Sequence, residues 1–296
     1  MPEFSAGLGE VCALASAVTW ALTSTLVRAA SAHVSPAAAN AVRATVAGLL
    51  LLVALAVALA LGVAAPVVTA EALALLVVSV VIGLGIADTL YFESLRLLGV
   101  ARALPLTSSY PLFVTALAVL FLREPLTPRL LVGVVVTVVG VALVATPPAS
   151  PSRPAKPASW RGLGAVLVAC LLWAGSTILL RPVLAQVDAF VANAVRMPAA
   201  AVLLWLFLLR RPGGRPAKVE RGALWPVLLA GLLSAAGSLA FLLGLQWAGA
   251  AKTATLASTA PLFAIPVALV TGERVGMWLA VGTALGVIGV VLLVSQ

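Results

Sequence analysis

Charged residues are scarce in this chain of 296 residues, at 9% of the sequence against 63% hydrophobic residues. A soluble globular domain has about a quarter of its residues charged, so the composition excludes a water-soluble fold. Histidine and cysteine are also rare, with one His and two Cys. We therefore predict no disulfide framework, no metal site, no cofactor and no enzymatic activity. A Gly-x-x-x-x-Gly-Lys-Ser/Thr loop is absent too, so nucleotide hydrolysis is not expected.

The net charge of +9 does not indicate a nucleic-acid partner. Lysines and arginines lie in short connections between apolar segments, which is typical of membrane proteins. The N-terminus is not expected to be a cleaved signal peptide, because it lacks a basic region and its apolar stretch continues as a full-length helix. The lipid bilayer is the expected environment of this chain.

Ten apolar stretches approach the roughly 20 residues that a helix needs to cross a hydrocarbon core of about 30 Å. A proline-rich polar stretch at 147–160 divides them into two sets of five and is predicted to be an extended linker. The predicted spans are near residues 8–28, 36–61, 72–95, 102–122, 128–146, 162–182, 188–210, 222–247, 252–271 and 275–294.

Residues 1–146 and 161–296 are predicted to be two copies of one five-helix unit, because residues recur in order at nearly constant separation. Since five is odd, the second copy is inverted in the membrane, an arrangement found in secondary transporters with a central site. The recurring pairs are Trp20 and Trp173, Arg28 and Arg181, Asn40 and Asn193, Arg43 and Arg196, Pro111 and Pro261, and Glu124 and Glu273.

These motifs resemble the drug/metabolite transporter superfamily, specifically its ten-helix proteins built from two EamA domains. The resemblance covers almost the whole chain. It implies an all-α, multi-pass membrane protein, expected in a bacterial inner membrane, that exports a small polar metabolite. Exporters of amino acids are among its members, and relatives move nucleotide sugars or sugar phosphates. Small multidrug relatives carry a glutamate where this chain has Trp20, so their carboxylate-based proton/drug exchange is not expected.

Basic residues are distributed unevenly between the two membrane sides. We count twelve on the side of the linker (the linker side) and four on the side of the chain termini (the termini side). The positive-inside rule therefore predicts a cytoplasmic linker and external termini. The resemblance implies the opposite orientation, and we follow the count.

Charges inside the predicted spans are candidates for function, because each costs about 2.5–3.5 kcal/mol on insertion scales. Arg43 and Arg196 either bind an anionic group of a substrate or serve as structural or snorkelling side chains. Asp88 and Glu93 are present in the first copy only. They either pair with Arg43 or carry protons that couple transport to a gradient.

Aromatic and hydroxyl side chains in the spans are a second group of candidates. They either line a central cavity for a polar solute or serve interhelical packing. The candidates for substrate binding are Trp20, Ser24, Arg43, Tyr91, Ser109, Tyr110, Trp173, Thr177, Arg196, Ser238 and Thr259.

Backbone-breaking and small residues complete the pattern. Pro111 and Pro261 interrupt the fourth and ninth helices, where kinks would serve as gates or as static bends. The last predicted helix of each copy is rich in glycine, which predicts close packing against another helix or a second protomer. These glycines are Gly133, Gly140, Gly282, Gly286 and Gly289.

The sequence as a whole favours a secondary transporter that exports amino acids or similar metabolites by alternating access. A sugar-phosphate or nucleotide-sugar exchanger is the alternative within transport, with Arg43 and Arg196 binding phosphate. A membrane-embedded scaffold or enzyme is the alternative from another class. The oligomeric state is not indicated.

Overall fold

The computed structural model describes residues 3–30, 34, 36–63, 67–98, 106–107, 109–145, 159–210, 221–263 and 277–294. Within these ranges the chain is helical apart from short turns and connections. A π-helical segment, Val81–Ala87, joins α3 to α4 without a break. The helices are α1 (Glu3–Ala30), α2 (Pro36–Ala60), α3 (Ala70–Val80), α4 (Asp88–Leu98), α5 (Tyr110–Leu122), α6 (Pro128–Ala145), α7 (Trp160–Val183), α8 (Ala189–Arg210), α9 (Arg221–Ala248), α10 (Ala250–Ala257), α11 (Ala260–Phe263) and α12 (Met277–Val294).

The helices follow the predicted order of spans in two sets, α1–α6 and α7–α12. The third predicted span consists of α3, the π segment and α4, and the ninth contains α10 and α11. Among the described residues, five helical stretches are long and apolar enough to cross a membrane, and four shorter apolar helices accompany them. Most of the predicted linker, up to residue 158, lies outside the described residues.

Apolar side chains are exposed on the outside of the helix assembly and several polar side chains are buried inside it, as expected for a protein in lipid. On the outer face of α2, Leu49 is 58% exposed and Val53 is 61% exposed. Asp88, Asn193 and Arg196 are buried between helices. Lipid tails offer polar groups no hydrogen bonds, so such side chains are stable only inside the helix assembly.

The two copies interdigitate rather than pack as separate halves. α1 packs along α9, and its counterpart α7 packs along α3, the π segment and α4. α2 packs on α8, and α6 packs on α12. Each pair joins the first copy to the second, and the symmetry of the repeat relates the pairs. The polar side chains on these helices are therefore brought to the interface between the copies.

Glycines set the closest approach of α6 to α12. A Cβ atom on Gly140 would collide with the backbones of Gly282 and Gly286, and one on Gly289 would collide with Thr137. Such backbone contact is typical of small residues at helix pairs in membranes. The glycines of the last helix in each copy thus pack against each other.

We expect Gly140→Leu to separate α6 from α12 and to lower the free energy of unfolding by about 1–3 kcal/mol, the usual cost of overpacking. Thermal unfolding of the purified protein in detergent measures this. Gly164→Leu is the matched control, because a Cβ atom on Gly164 meets nothing within 4 Å. Equal losses in the two variants would contradict the packing role of Gly140.

The fourth and ninth spans are interrupted at matched positions. α5 begins one residue before Pro111, after a turn at Ser109. α11 begins one residue before Pro261, after a turn at Ser258–Thr259. Each proline thus lies in the first turn of the following helix, where its missing N–H removes no helical hydrogen bond. The sequence predicted kinks inside continuous helices, whereas the structure shows a break before each proline.

The same hydrogen bonds close both breaks. The amide and hydroxyl of Ser109 donate to the carbonyl of Leu106 at 3.1 and 2.7 Å. The amide and hydroxyl of Thr259 donate to the carbonyl of Leu256 at 3.1 and 2.6 Å. The hydroxyls of Ser109 and Thr259 thus donate to their own chain and shape the breaks, and a cavity-lining role for these two residues stays a prediction.

Candidate functional site

A polar network around Arg43 links α2 and α4 of the first copy to α7 and α9 of the second. The Nε and Nη2 atoms of Arg43 donate to Oδ1 of Asn40, and its Nη1 donates to Oγ of Ser234 at 3.1 Å. Nδ2 of Asn40 donates in turn to Oδ2 of Asp88 at 3.5 Å. Nε1 of Trp173 donates to Oδ1 of Asp88 at 2.8 Å. The Asp88 carboxylate therefore compensates the Arg43 charge through the amide of Asn40.

The predicted direct pair between Asp88 or Glu93 and Arg43 is not what the structure shows. Within the described part of the chain, Arg43 and Asp88 form no direct ion pair, because the Asn40 amide lies between them. Glu93 lies one turn further along α4, in a groove that it shares with Arg161 of α7.

Aromatic side chains surround Trp173 of α7. The Tyr91 ring lies 5.3 Å from the Trp173 ring, and the Tyr110 ring lies 6.4 Å away in an edge-on arrangement. The hydroxyls of Tyr110 and Thr177 are 2.8 Å apart, and Thr177 donates to the carbonyl of Trp173 at 3.0 Å. Four predicted candidates thus form one cluster, and its Trp173 indole contacts Asp88.

The π segment sets the orientation of Asp88. The Asp88 amide donates to the carbonyl of Gly83, five residues back, so the helix after the segment is rotated relative to α3. Gly83 also allows α7 to approach closely, because a Cβ atom there would lie 2.7 Å from Oγ of Ser176. That hydroxyl donates to the carbonyl of Ser79 at 2.7 Å. The segment therefore brings α7 and Asp88 together.

Arg196 is the counterpart of Arg43, but its surroundings differ. It lies on α8 and is only 7% exposed. Its Nε donates to Oγ of Ser79 at 3.3 Å. In the part of the chain that the structure describes, no carboxylate pairs with Arg196, and the hydrogen bond to Ser79 is made to a neutral hydroxyl. A buried guanidinium without a counter-ion is costly, so this position favours an incoming anion.

Asn193, one helical turn before Arg196, also has fewer polar partners than its counterpart Asn40 in the first copy. Its Nδ2 donates to Oγ of Ser238 at 2.8 Å, as Asn40 donates to Asp88 in the first copy. Its Oδ1 is buried without a hydrogen-bond partner, whereas Oδ1 of Asn40 accepts from Arg43. Ser238 stands where the first copy has Asp88. The second copy thus repeats the Asn-x-x-Arg unit and lacks its carboxylate.

Trp20 and Ser24 are the remaining residues predicted to bind substrate, and the structure describes the side chain of Trp20 only. The Arg43 guanidinium lies 5.6 Å from the Trp20 ring, a cation–π contact. Trp20 therefore belongs to the Arg43 network and not to the aromatic cluster at Trp173. The side chain of Ser24 lies outside the described residues.

An apolar groove of about 350 Å³ lies on the outer flank, between the π segment and α8. Its lining includes Leu84, Leu203 and Phe207 and contains no charged or hydroxyl side chain. A polar solute does not fit such a lining. The candidate site is therefore the polar interior and not this groove.

The serines that bind the arginines were not predicted. Ser79 and Ser234 each accept from an arginine of the other copy. Neither serine has a counterpart in the other copy, so the repeat does not single them out. Asn40 and Asn193 were visible as repeated residues, but their bridging role depends on distances that only the fold supplies.

The two five-helix units meet along helices that carry Arg43 and the buried Arg196, and this arrangement is the one expected of a multi-pass membrane transporter with a central site. A family model of EamA-like transporters matches residues 7–146 and 160–295. The chain therefore belongs to the EamA-like transporter family, within the drug/metabolite transporter superfamily. Members of this family are transporters, which confirms the prediction that the chain is not an enzyme.

The fold has a counterpart among solved structures. One crystal structure matches with a TM-score of 0.77 and 19% sequence identity, over 96% of this chain and 95% of that chain. At this identity the match shows the shared fold alone. No curated protein matches the sequence.

Proposed function

We propose that this transporter exports amino acids or closely similar small carboxylates, and that Arg196 binds the substrate carboxylate. One observation carries the proposal: Arg196 is buried at the interface between the copies and has no carboxylate partner among the residues that the structure describes. A guanidinium binds a carboxylate through two parallel hydrogen bonds, and burial strengthens that attraction. The unpartnered Oδ1 of Asn193, one helical turn away, is an acceptor suited to the substrate ammonium group.

The aromatic cluster supports the same site. Arg196 reaches Ser79, Ser79 accepts from Ser176 of α7, and Thr177 beside it joins the Tyr110 hydroxyl. The arginine and the aromatic side chains are therefore connected through two consecutive residues of α7. Their rings offer surface for the apolar part of an amino acid. α5 begins at Tyr110, so its positive end adds to the attraction for an anion.

The Arg43 network has a structural role in this proposal. Its donors are engaged by Asn40 and Ser234, and Asp88 balances its charge. A phosphate dianion would need more free cationic groups than the second copy offers, so a carboxylate is the better match. Asp88 and Glu93 remain the candidates for proton coupling.

Transport proceeds by alternating access in this proposal. The turn at Ser258–Thr259 divides the described part of the ninth span into α10 and α11, and a turn at Ser109 precedes α5, so these helices can move relative to the residues before them. They take the gating role that the sequence assigned to proline kinks. The external position of the termini remains a prediction from the distribution of basic residues.

Flux into proteoliposomes tests the proposal. We expect the purified protein to move at least one amino acid of a complete panel faster than empty liposomes do. The flux is also expected to depend on a pH gradient, if a proton is the coupling ion. Absence of flux for every amino acid under any gradient would refute the proposal. Gradient-dependent flux that persists in Asp88→Asn with Glu93→Gln would exclude coupling through these carboxylates.

A further inference from the structure

Glu10 on α1 is a buried carboxylate outside the candidate site. It is 4% exposed, and its Oε1 pairs with Nζ of Lys252 on α10 at 2.8 Å. Its Oε2 is buried and has no hydrogen-bond partner. This ion pair joins the first copy to the second, near the termini side where α1 and α10 begin.

Glu124 of the first copy makes a second contact with α10 of the second copy. Its Oε1 accepts from the Ala250 amide at 2.7 Å, and its Oε2 accepts from the Ala251 amide at 3.2 Å. The carboxylate thus caps the first turn of α10, where free amides and the helix dipole favour a negative charge. Gly249 precedes this turn with φ +85, and a Cβ atom there would lie 3.1 Å from Oε1 of Glu124.

α10 is thus a short helix held by two carboxylates of the other copy. It ends at Ala257, and the break at Ser258–Thr259 separates it from α11. Thr253, next to Lys252, is fully buried, and a Cβ atom on Gly244 of α9 would lie only 3.1 Å from its methyl group, so the absence of that atom allows the close approach. These contacts pack α10 against α1 and α9 near the termini side.

We propose that Glu10, Lys252 and Glu124 form a latch that holds α10 shut, and that α10 swings at Ser258–Thr259 to open the termini side. This inference rests on the alternating access proposed above. The latch is poised to open, because closure leaves Oε2 of Glu10 without a donor. Water satisfies that oxygen once the helices separate, which offsets part of the cost of breaking the ion pair.

The test measures the exposure of a thiol placed under the latch. Thr253→Cys in a Cys12→Ala background is reconstituted into nanodiscs, and a soluble maleimide is added. Mass spectrometry then gives the labelling rates of residue 253 and of Cys170. Cys170 is a buried native thiol on α7 and serves as an internal reference, because general loosening of the fold would expose it as well.

We expect slow labelling of residue 253 in this background. Adding Glu10→Gln, Glu124→Gln or Lys252→Met should raise the rate about tenfold, the effect of losing a charge-assisted hydrogen bond. Labelling of Cys170 should stay slow. Glu71→Gln, which neutralises an exposed carboxylate on the same membrane side, should change neither rate. Glu10→Lys combined with Lys252→Glu should restore slow labelling at residue 253.

Unchanged labelling of residue 253 in the three neutralised variants would overturn the latch. Parallel increases at residue 253 and Cys170 would overturn it as well, because they indicate general destabilisation. Fast labelling in the charge-swapped variant would show that the ion pair does not hold α10. The assay uses no substrate, so its failure is separate from a failure of the proposed amino acid export.

Discussion

Arg196→Gln is expected to lower amino acid flux by about 10- to 100-fold, because a charge-assisted contact to the substrate contributes about 1.5–3 kcal/mol. The thermal stability of the variant should be equal to or higher than that of the native protein. This follows because Arg196 has no carboxylate partner in the described structure, and removing a buried, uncompensated charge relieves its desolvation cost. Flux and melting temperature are measured on the same preparation.

Two further substitutions make the Arg196 prediction specific. Arg210→Gln removes an exposed arginine at the end of the same helix, and its flux should equal that of the native protein. Arg196→Lys keeps the charge but loses the paired hydrogen bonds, and its flux should be intermediate. Native flux in Arg196→Gln, or loss of stability together with flux, would contradict the role assigned to Arg196.

Asp88→Asn is expected to lower the thermal stability strongly, in contrast to Arg196→Gln. Its amide cannot balance the Arg43 charge. Breaking a buried pair in direct contact costs about 3–5 kcal/mol, which is the upper bound for these two charges because Asn40 separates them. We expect the melting temperature in detergent to fall by on the order of 10 °C. Adding Arg43→Gln removes the unbalanced charge and should recover part of the loss.

Asp188→Asn is the control for the same chemical change. Asp188 is exposed, and its Oδ1 accepts from the Phe190 amide at 2.8 Å at the start of α8. Asparagine caps helices about as well as aspartate, so this variant should melt close to the native protein. If Asp88→Asn melts at the native temperature, or the double variant melts lower still, the charges of Arg43 and Asp88 do not stabilise each other.

The fold was largely predictable because its signals are repeated in the chain. Trp20 and Trp173, Arg43 and Arg196, and Pro111 and Pro261 mark the two copies in order, and the odd number of helices requires inversion. The breaks were predicted near the right residues but with the wrong local cause. Proline signals that a helix is interrupted nearby, whereas hydrogen bonds from the preceding Ser109 and Thr259 decide where.

The π segment was not predicted. Its sequence, Val81–Ala87, is as apolar as the helix around it, and periodicity does not register a single added residue in a hydrophobic run. The two glycines within it were the available signal. The orientation of Asp88, and with it the link from Asp88 to Asn40 and Trp173, depends on this segment.

Contacts between helices of different copies were beyond the reach of the sequence. Ser79, Ser234 and Glu10 are far in sequence from the arginine or lysine that each contacts, and their pairing depends on how the copies interdigitate. The asymmetry between Asp88 and Ser238 was visible from the start. The structure adds that Arg43 is linked to a carboxylate through Asn40, whereas Arg196 has no carboxylate partner among the described residues.

Transport of an amino acid compared with its carboxamide tests the central claim most directly. The experiment uses proteoliposomes and the fastest amino acid of the panel, and the two solutes differ only in the group that Arg196 is proposed to bind. We predict flux for the amino acid and background flux for its amide in the native protein. Equal flux for the two solutes would contradict binding of the substrate carboxylate by Arg196.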